Sequence, residues 1–199
     1  GEDGYHILGY GIDVNQHIFD EIEENVRKQE LQASGKRMEL VRKLGIEFSD
    51  ARIKELAPDS IVTGEIIAEA ALEESTAANN PLLQSYVSGG ERSDNPYVNF
   101  YWDFCAPGKP AYVEIVYPSV EDIIKLLHDQ QALAVLAHPG QNVKEDPVRM
   151  EALLAQGIDG MEVYSSYHSQ QQKDYYYQIA KAHGLLMTCG SDFHGKTKP

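Results

Sequence analysis

Gly190-Ser191-Asp192-Phe193-His194-Gly195 follows directly on the apolar run Leu185-Leu186-Met187-Thr188-Cys189. The run predicts a buried strand, and the glycines let the chain turn sharply where it ends. In an extended segment, residues two apart point to the same side. Asp192 and His194 can therefore converge on one point just past the strand. An Asp oxygen and a His nitrogen placed so suit a transition-metal ion, although an Asp that opens a turn beside a surface His would read the same way.

Two further stretches repeat the pattern. Ala134-Val135-Leu136-Ala137-His138-Pro139-Gly140 is again an apolar run that ends in a histidine and turn residues. Tyr5-His6-Ile7-Leu8-Gly9-Tyr10 places a histidine in a strand-like run near the start. On residues alone, His6 is either a satisfied core histidine or a ligand. Histidines on separate strands are how a parallel barrel assembles a metal site.

The second half of the chain is regular. Ser119 reads as the cap of a helix carrying Glu121 and Asp122 in its first turn and running to about Gln130. The strand Leu133 to Ala137 follows. Asp146-Pro147 predicts a cap with proline at the first helical position, for a helix ending at Gly157. The strand Gly160 to Tyr164 comes next, then a helix from Ser169 to about His183-Gly184, then the strand Leu185 to Cys189. This alternation predicts a parallel sheet with helices outside. His138, Tyr164, Asp192 and His194 all fall at carboxyl ends of strands, the face on which such barrels build active sites.

Between the first strand and this regular half, the pattern changes. Residues 15–44 read as a long helical stretch, with Gly35 predicting a break or kink and Gly45 a stop. Shorter helices follow between Phe48 and Glu74; Pro58 ends one, and Thr63 caps the next. From Ala77 to Pro118 the chain is irregular and aromatic, with Tyr97, Phe100, Tyr101, Trp102 and Phe104. Those rings are either packing for a long insertion or a platform for stacking bases. Lys54, Arg92 and Lys109 are the cations there that could reach a phosphate. His17, His128 and His183 read as surface residues.

Taken together, His6-Ile7-Leu8-Gly9-Tyr10, Ala137-His138-Pro139-Gly140, Gly160-Met161-Glu162-Val163-Tyr164 with Tyr167-His168-Ser169, and Ser191-Asp192-Phe193-His194-Gly195 resemble the PHP (polymerase and histidinol phosphatase) family. The likeness is to its stand-alone bacterial metal-dependent phosphoesterases. It implies a distorted seven-stranded β/α barrel built from residues 1–13 and 119–199, with 14–118 a helical and irregular insertion over the active-site face. It also implies that the chain is a fragment lacking the first part of the domain, because the family's opening His-x-His and its metal-bridging Glu are not found upstream of His6.

The resemblance makes His6, His138, Asp192 and His194 ligands of two or three divalent ions, Mn, Fe or Zn. The implied reaction is phosphoester hydrolysis by metal-activated hydroxide, with no Ser, Cys or His nucleophile. The implied substrates are nucleotides such as nucleoside 3′,5′-bisphosphates or short oligonucleotides. A histidinol-phosphate-type phosphatase and a non-catalytic metal-binding module of a polymerase are the alternatives. Tyr164, Ser165, Tyr167 and His168 would form the next shell around a substrate. His168 reads as a phosphate contact or general acid, or else as a surface histidine at a helix start. Gln141 stands where many relatives carry a phosphate-gripping Arg, and Glu162 reads as facing away from Val163 and as a weaker candidate.

The 199 residues allow one domain with an insertion, and the 42% hydrophobic fraction is ordinary for a globular protein. No apolar run approaches a membrane span. Cys105 and Cys189 form no CxxC pair, which fits a reduced, cytoplasmic setting. The formal net charge of −14 argues against broad binding to a nucleic-acid backbone. It is compatible with a phosphate substrate where bound cations reverse the local sign. Nothing in the sequence signals an oligomeric state.

Overall fold

The computed structural model describes residues 4–193. The chain divides into two compact units, 1–18 with 118–199 and 19–117. In chain order the elements are β1 (Ile7–Tyr10), α1 (Asp20–Lys43), α2 (Asp50–Leu56), α3 (Gly64–Leu72), α4 (Pro96–Phe100), α5 (Val120–Asp129), β2 (Leu133–Leu136), α6 (Pro139–Asn142), α7 (Pro147–Ala155), β3 (Gly160–Ser165), α8 (Gln170–His183) and β4 (Leu186–Gly190).

The unit that holds the sheet is a four-stranded layer in the order β1-β2-β3-β4. β2, β3 and β4 run parallel, with Leu136 opposite Met161 and Met161 opposite Met187. The helices between them have the caps the sequence predicts. Ser119 Oγ accepts from the Asp122 amide, Asp146 from Val148 and Arg149, and Ser169 with Gln172 forms a reciprocal capping box. Gly184, at φ +65°, ends α8. Val135, Leu136, Met161, Val163 and Tyr176 are fully buried in the layer between strands and helices.

The first strand departs from the parallel expectation. β1 pairs antiparallel with β2, with Ile7 opposite Leu136 and Tyr10 opposite Leu133. This reversal has a consequence for position: His6, just before β1, lies at the same sheet edge as the residues that follow β2. The Ala137 amide donates to the His6 carbonyl at 2.9 Å and extends that ladder by one step.

The unit of residues 19–117 is helical. α1 is a single 24-residue helix, and Gly35 does not break it. A glycine inside a helix costs only about 1 kcal/mol relative to Ala. The buried face of Ala33, Ser34, Arg37 and Val41 outweighs that cost. Gly45, at φ +88°, supplies the stop. Pro58 follows α2 and the Thr63 hydroxyl caps α3, as expected.

The aromatics of the irregular stretch mostly pack the core. Phe100 is fully buried, and its ring lies 4.7 Å from Phe104 and 5.8 Å from Tyr86. Trp102, by contrast, is 56% exposed. Arg92 is committed to a bidentate pair with Asp103, which also accepts from Tyr86, while Lys54 and Lys109 are exposed. Burial pushes the Cys105 thiol up to about 12, leaving almost no thiolate at neutral pH. Iodoacetamide should therefore label exposed Cys189 and spare Cys105 in the folded chain, which peptide mass mapping would read. Equal labelling would mean that the 19–117 core opens.

Candidate metal centre

Three of the four residues singled out as ligands meet at one edge of the sheet. His138 follows β2, Asp192 follows β4, and His6 precedes the reversed β1. His138 Nε2 lies 3.0 Å from His6 Nδ1 and 3.9 Å from Asp192 Oδ1. One donor atom from each of the three falls within 4.8 Å of the others. His194, the fourth, lies outside the described residues.

The donor set fits a divalent ion. Bonds of about 2.1 Å in a four- to six-coordinate site place ligand atoms roughly 3 to 3.5 Å apart. The two histidines already stand at 3.0 Å, and Asp192, at 3.9 Å from His138, needs only a small side-chain shift to join them. Two imidazoles and a carboxylate suit Zn, Mn or Fe. His138 is 4% exposed, and its Nδ1 is buried with no partner among the described residues, so Nε2 is its engaged nitrogen.

The backbone is strained where the side chains converge. His138 sits at φ +28°, ψ +58°, in the left-handed region, although Pro139 follows it. A residue before proline is pushed toward extended conformations, which makes this position costly. Asp192 has φ +52°. Such strain persists only where the surroundings over-determine it, and those surroundings are visible.

The loop after β3 supplies much of that constraint. The Tyr167 hydroxyl donates to Asp192 Oδ2 at 2.9 Å, and its ring meets His138 edge-on at 5.9 Å. The Ser166 amide donates to the Gly190 carbonyl and its hydroxyl to the Ser191 carbonyl. Ser165 is buried, and its Oγ accepts from the Tyr167 amide, whereas Tyr164 is 47% exposed. Of the two, Tyr164 is the one open to an incoming molecule.

His168 has a different setting from the one its sequence position suggests. It is 4% exposed. Its Nε2 lies 3.0 Å from the Gly140 nitrogen and accepts that N–H. Its Nδ1 therefore carries the proton and donates to the Val163 carbonyl at 2.9 Å. The ring packs 5.1 Å from Tyr176, whose phenol burial pushes up to about 12. Both nitrogens are thus taken by backbone groups, and the ring is shut off from solvent. A Cβ on Gly140 would lie 2.6 Å from the His168 ring, so the glycine of His-Pro-Gly makes room for this contact.

Glu162 is the residue the sequence reading passed over. A register shift in β3 between Glu162 and Tyr164 breaks the simple alternation. Glu162 is 5% exposed, and its Oε2 accepts from the His138 amide at 2.9 Å. The signal was present: a carboxylate inside the apolar run Gly160-Met161-Glu162-Val163-Tyr164 must find a partner if the strand is covered on both faces. His17, His128 and His183 are exposed, as expected.

No family model matches the chain. Curated relatives do. A 94-residue stretch is 35% identical to the 3′,5′-nucleoside bisphosphate phosphatase of Chromobacterium violaceum, covering 46% of this chain and 33% of that protein. The phosphoribosyl 1,2-cyclic phosphate 1,2-diphosphodiesterase of Eggerthella lenta is 32% identical over 83 residues, 42% of this chain and 31% of that one. The 5′-3′ exoribonuclease Rnm of Escherichia coli is 34% identical over 94 residues, 46% of this chain and 32% of its own. The resemblance to the PHP phosphoesterases is borne out.

The matched stretches span about a third of each of these relatives, all of which are by name hydrolases of phosphoester bonds. Among solved structures, an amidohydrolase from Chromobacterium violaceum with bound sulfate and no metal superposes with a TM-score of 0.74 at 24% identity, over 98% of this chain and 64% of that one. A structure from Bifidobacterium adolescentis, described as a candidate metal-dependent phosphoesterase, does so with a TM-score of 0.67, also at 24% identity, over 98% and 64%. Both establish the likeness of fold for a mixed α/β chain. Among the described residues, no helix is long and apolar enough to cross a membrane.

Proposed function

We propose that this chain carries part of the active site of a metal-dependent phosphoesterase acting on small phosphorylated substrates, nucleotides foremost. The observation that carries this reading is the convergence of His6, His138 and Asp192 within 4.8 Å at one sheet edge. His194, one residue beyond the described segment, is the proposed fourth ligand. The four strands then belong to a distorted seven-stranded β/α barrel, with residues 14–118 as its insertion. Two free cysteines suit a reducing cytoplasm.

His6 and His138 would bind two or three divalent ions, Mn, Fe or Zn, through ring nitrogens, and Asp192 and His194 would complete the set. Such ions lower the pKa of water to about 7 and offset phosphoryl charge in an otherwise acidic protein. The protein's own contribution is positional. Tyr167 fixes one Asp192 oxygen and leaves the other toward His138. Tyr164, exposed at the end of β3, is the proposed substrate contact. Buried Ser165 and His168, placed near substrate by the sequence reading, are better suited to holding the loop and the His138–Gly140 turn.

Nucleoside bisphosphates and short oligonucleotides lead as substrates because the named activities of the relatives include a nucleoside bisphosphate phosphatase and an exoribonuclease. Phosphate release should be assayed from adenosine 3′,5′-bisphosphate and histidinol phosphate, and mononucleotide release from a short oligoribonucleotide, each with Mn2+ and with chelator. The expected result is Mn2+-dependent turnover of the nucleotides. Turnover of histidinol phosphate alone would favour the histidinol-type alternative, and none on any substrate despite bound metal would favour a non-catalytic module.

A further inference from the structure

We infer that Glu162 is a positioning residue for His138, acting through the backbone amide and depending on the absence of a side chain at Gly190. The inference rests on the metal-centre reading above. Glu162 sits on β3, between the ends of β2 and β4. Its Oε2 accepts from His138 N–H at 2.9 Å. Its other oxygen lies against Gly190: a Cβ built there would stand 1.9 Å from Oε1 and 2.7 Å from Cδ. One carboxylate, 5% exposed, thus bears on the segments that deliver two of the three converging residues.

The contact explains the geometry of the turn. His138 occupies a left-handed conformation that its own side chain and the following proline both disfavour. A charge-assisted bond from a buried carboxylate to that residue's amide opposes relaxation to an extended form. His168 holds the next amide but one, at Gly140, from the same strand's end. Without Glu162, the His138 ring would lose the orientation that brings Nε2 to His6 and Asp192. Partners of this kind, one step removed from the ion, typically change metal affinity by about 10- to 100-fold.

The test uses the whole chain, Mn2+ titration calorimetry, and the amide resonance of His138 in metal-free protein. Glu162→Ala should weaken Mn2+ binding about 10- to 100-fold. Glu162→Gln, whose amide oxygen can still accept the His138 N–H, should stay within a few-fold of the native chain. Gly190→Ala should lose affinity in the native background and lose nothing more in the Glu162→Ala background, because the clash is then gone.

Equal losses for the Gln and Ala variants would overturn the inference, as would native affinity in a folded Glu162→Ala chain. A Gly190→Ala loss undiminished in the double variant would do the same. If Glu162→Ala does not fold, Glu162→Gln and the His138 amide resonance decide. That resonance should lie downfield in the native chain and Glu162→Gln, as a charge-assisted or amide-accepted bond requires. An upfield, solvent-like position in the native chain overturns the contact. A native chain with the downfield resonance and no Mn2+ binding overturns the metal reading and leaves the contact standing.

Discussion

His138→Ala and Asp192→Ala should each remove Mn2+ binding, and with it the proposed hydrolysis, while the chain keeps its secondary structure. The two residues contribute the nitrogen and the oxygen that sit 3.9 Å apart. Loss of a partner one step from an ion costs about 10- to 100-fold in affinity, so loss of a direct donor should exceed that range. The expected readouts are metal content after gel filtration, nucleotide phosphatase activity, and far-UV circular dichroism. Asp192→Asn is the informative companion. It keeps the shape and can still accept from the Tyr167 hydroxyl, but it withdraws the charge a divalent ion needs. Full activity in His138→Ala with native folding would contradict the ligand assignment.

His168→Ala should be among the most destabilising single substitutions in this unit, and its first effect should be on folding. It leaves the Gly140 N–H and the Val163 carbonyl buried without partners, each at about 1 to 3 kcal/mol. It also removes a ring that packs on Tyr176. The two unpaired groups alone come to roughly 2 to 6 kcal/mol, a fall of about 4 to 24 °C in the unfolding midpoint for a chain of this size. Calorimetry on metal-free protein measures this apart from any ligand effect. A midpoint unchanged from the native chain, with turnover lost, would return His168 to a direct role at the substrate.

The contrast between these residues shows what the sequence could carry. His138, Asp192 and His6 were legible because each ends or precedes an apolar run, and strand ends are where a sheet gathers functional groups. The caps at Ser119, Asp146 and Ser169 were legible because capping is local chemistry. The direction of β1 was not, since pairing between Ile7 and Leu136, far apart in the sequence, leaves no local mark. The hydrogen-bond partners of His168 and Glu162 were hidden for a related reason. A buried histidine with both nitrogens on backbone and one facing a substrate share the same letters. Only the positions of the Gly140 amide, the Val163 carbonyl and the His138 amide distinguish them. Gly35 failed as a break because burial along α1 outweighs a propensity worth about 1 kcal/mol.

The most direct measurement is elemental analysis of the purified chain by mass spectrometry, prepared without chelator, beside its His138→Ala variant. One or more equivalents of Mn, Fe or Zn in the native chain, absent from the variant, is the result the account predicts. Equal metal in both, or none in a native chain to which Mn2+ has been supplied, would contradict the claim that His6, His138 and Asp192 form a metal centre.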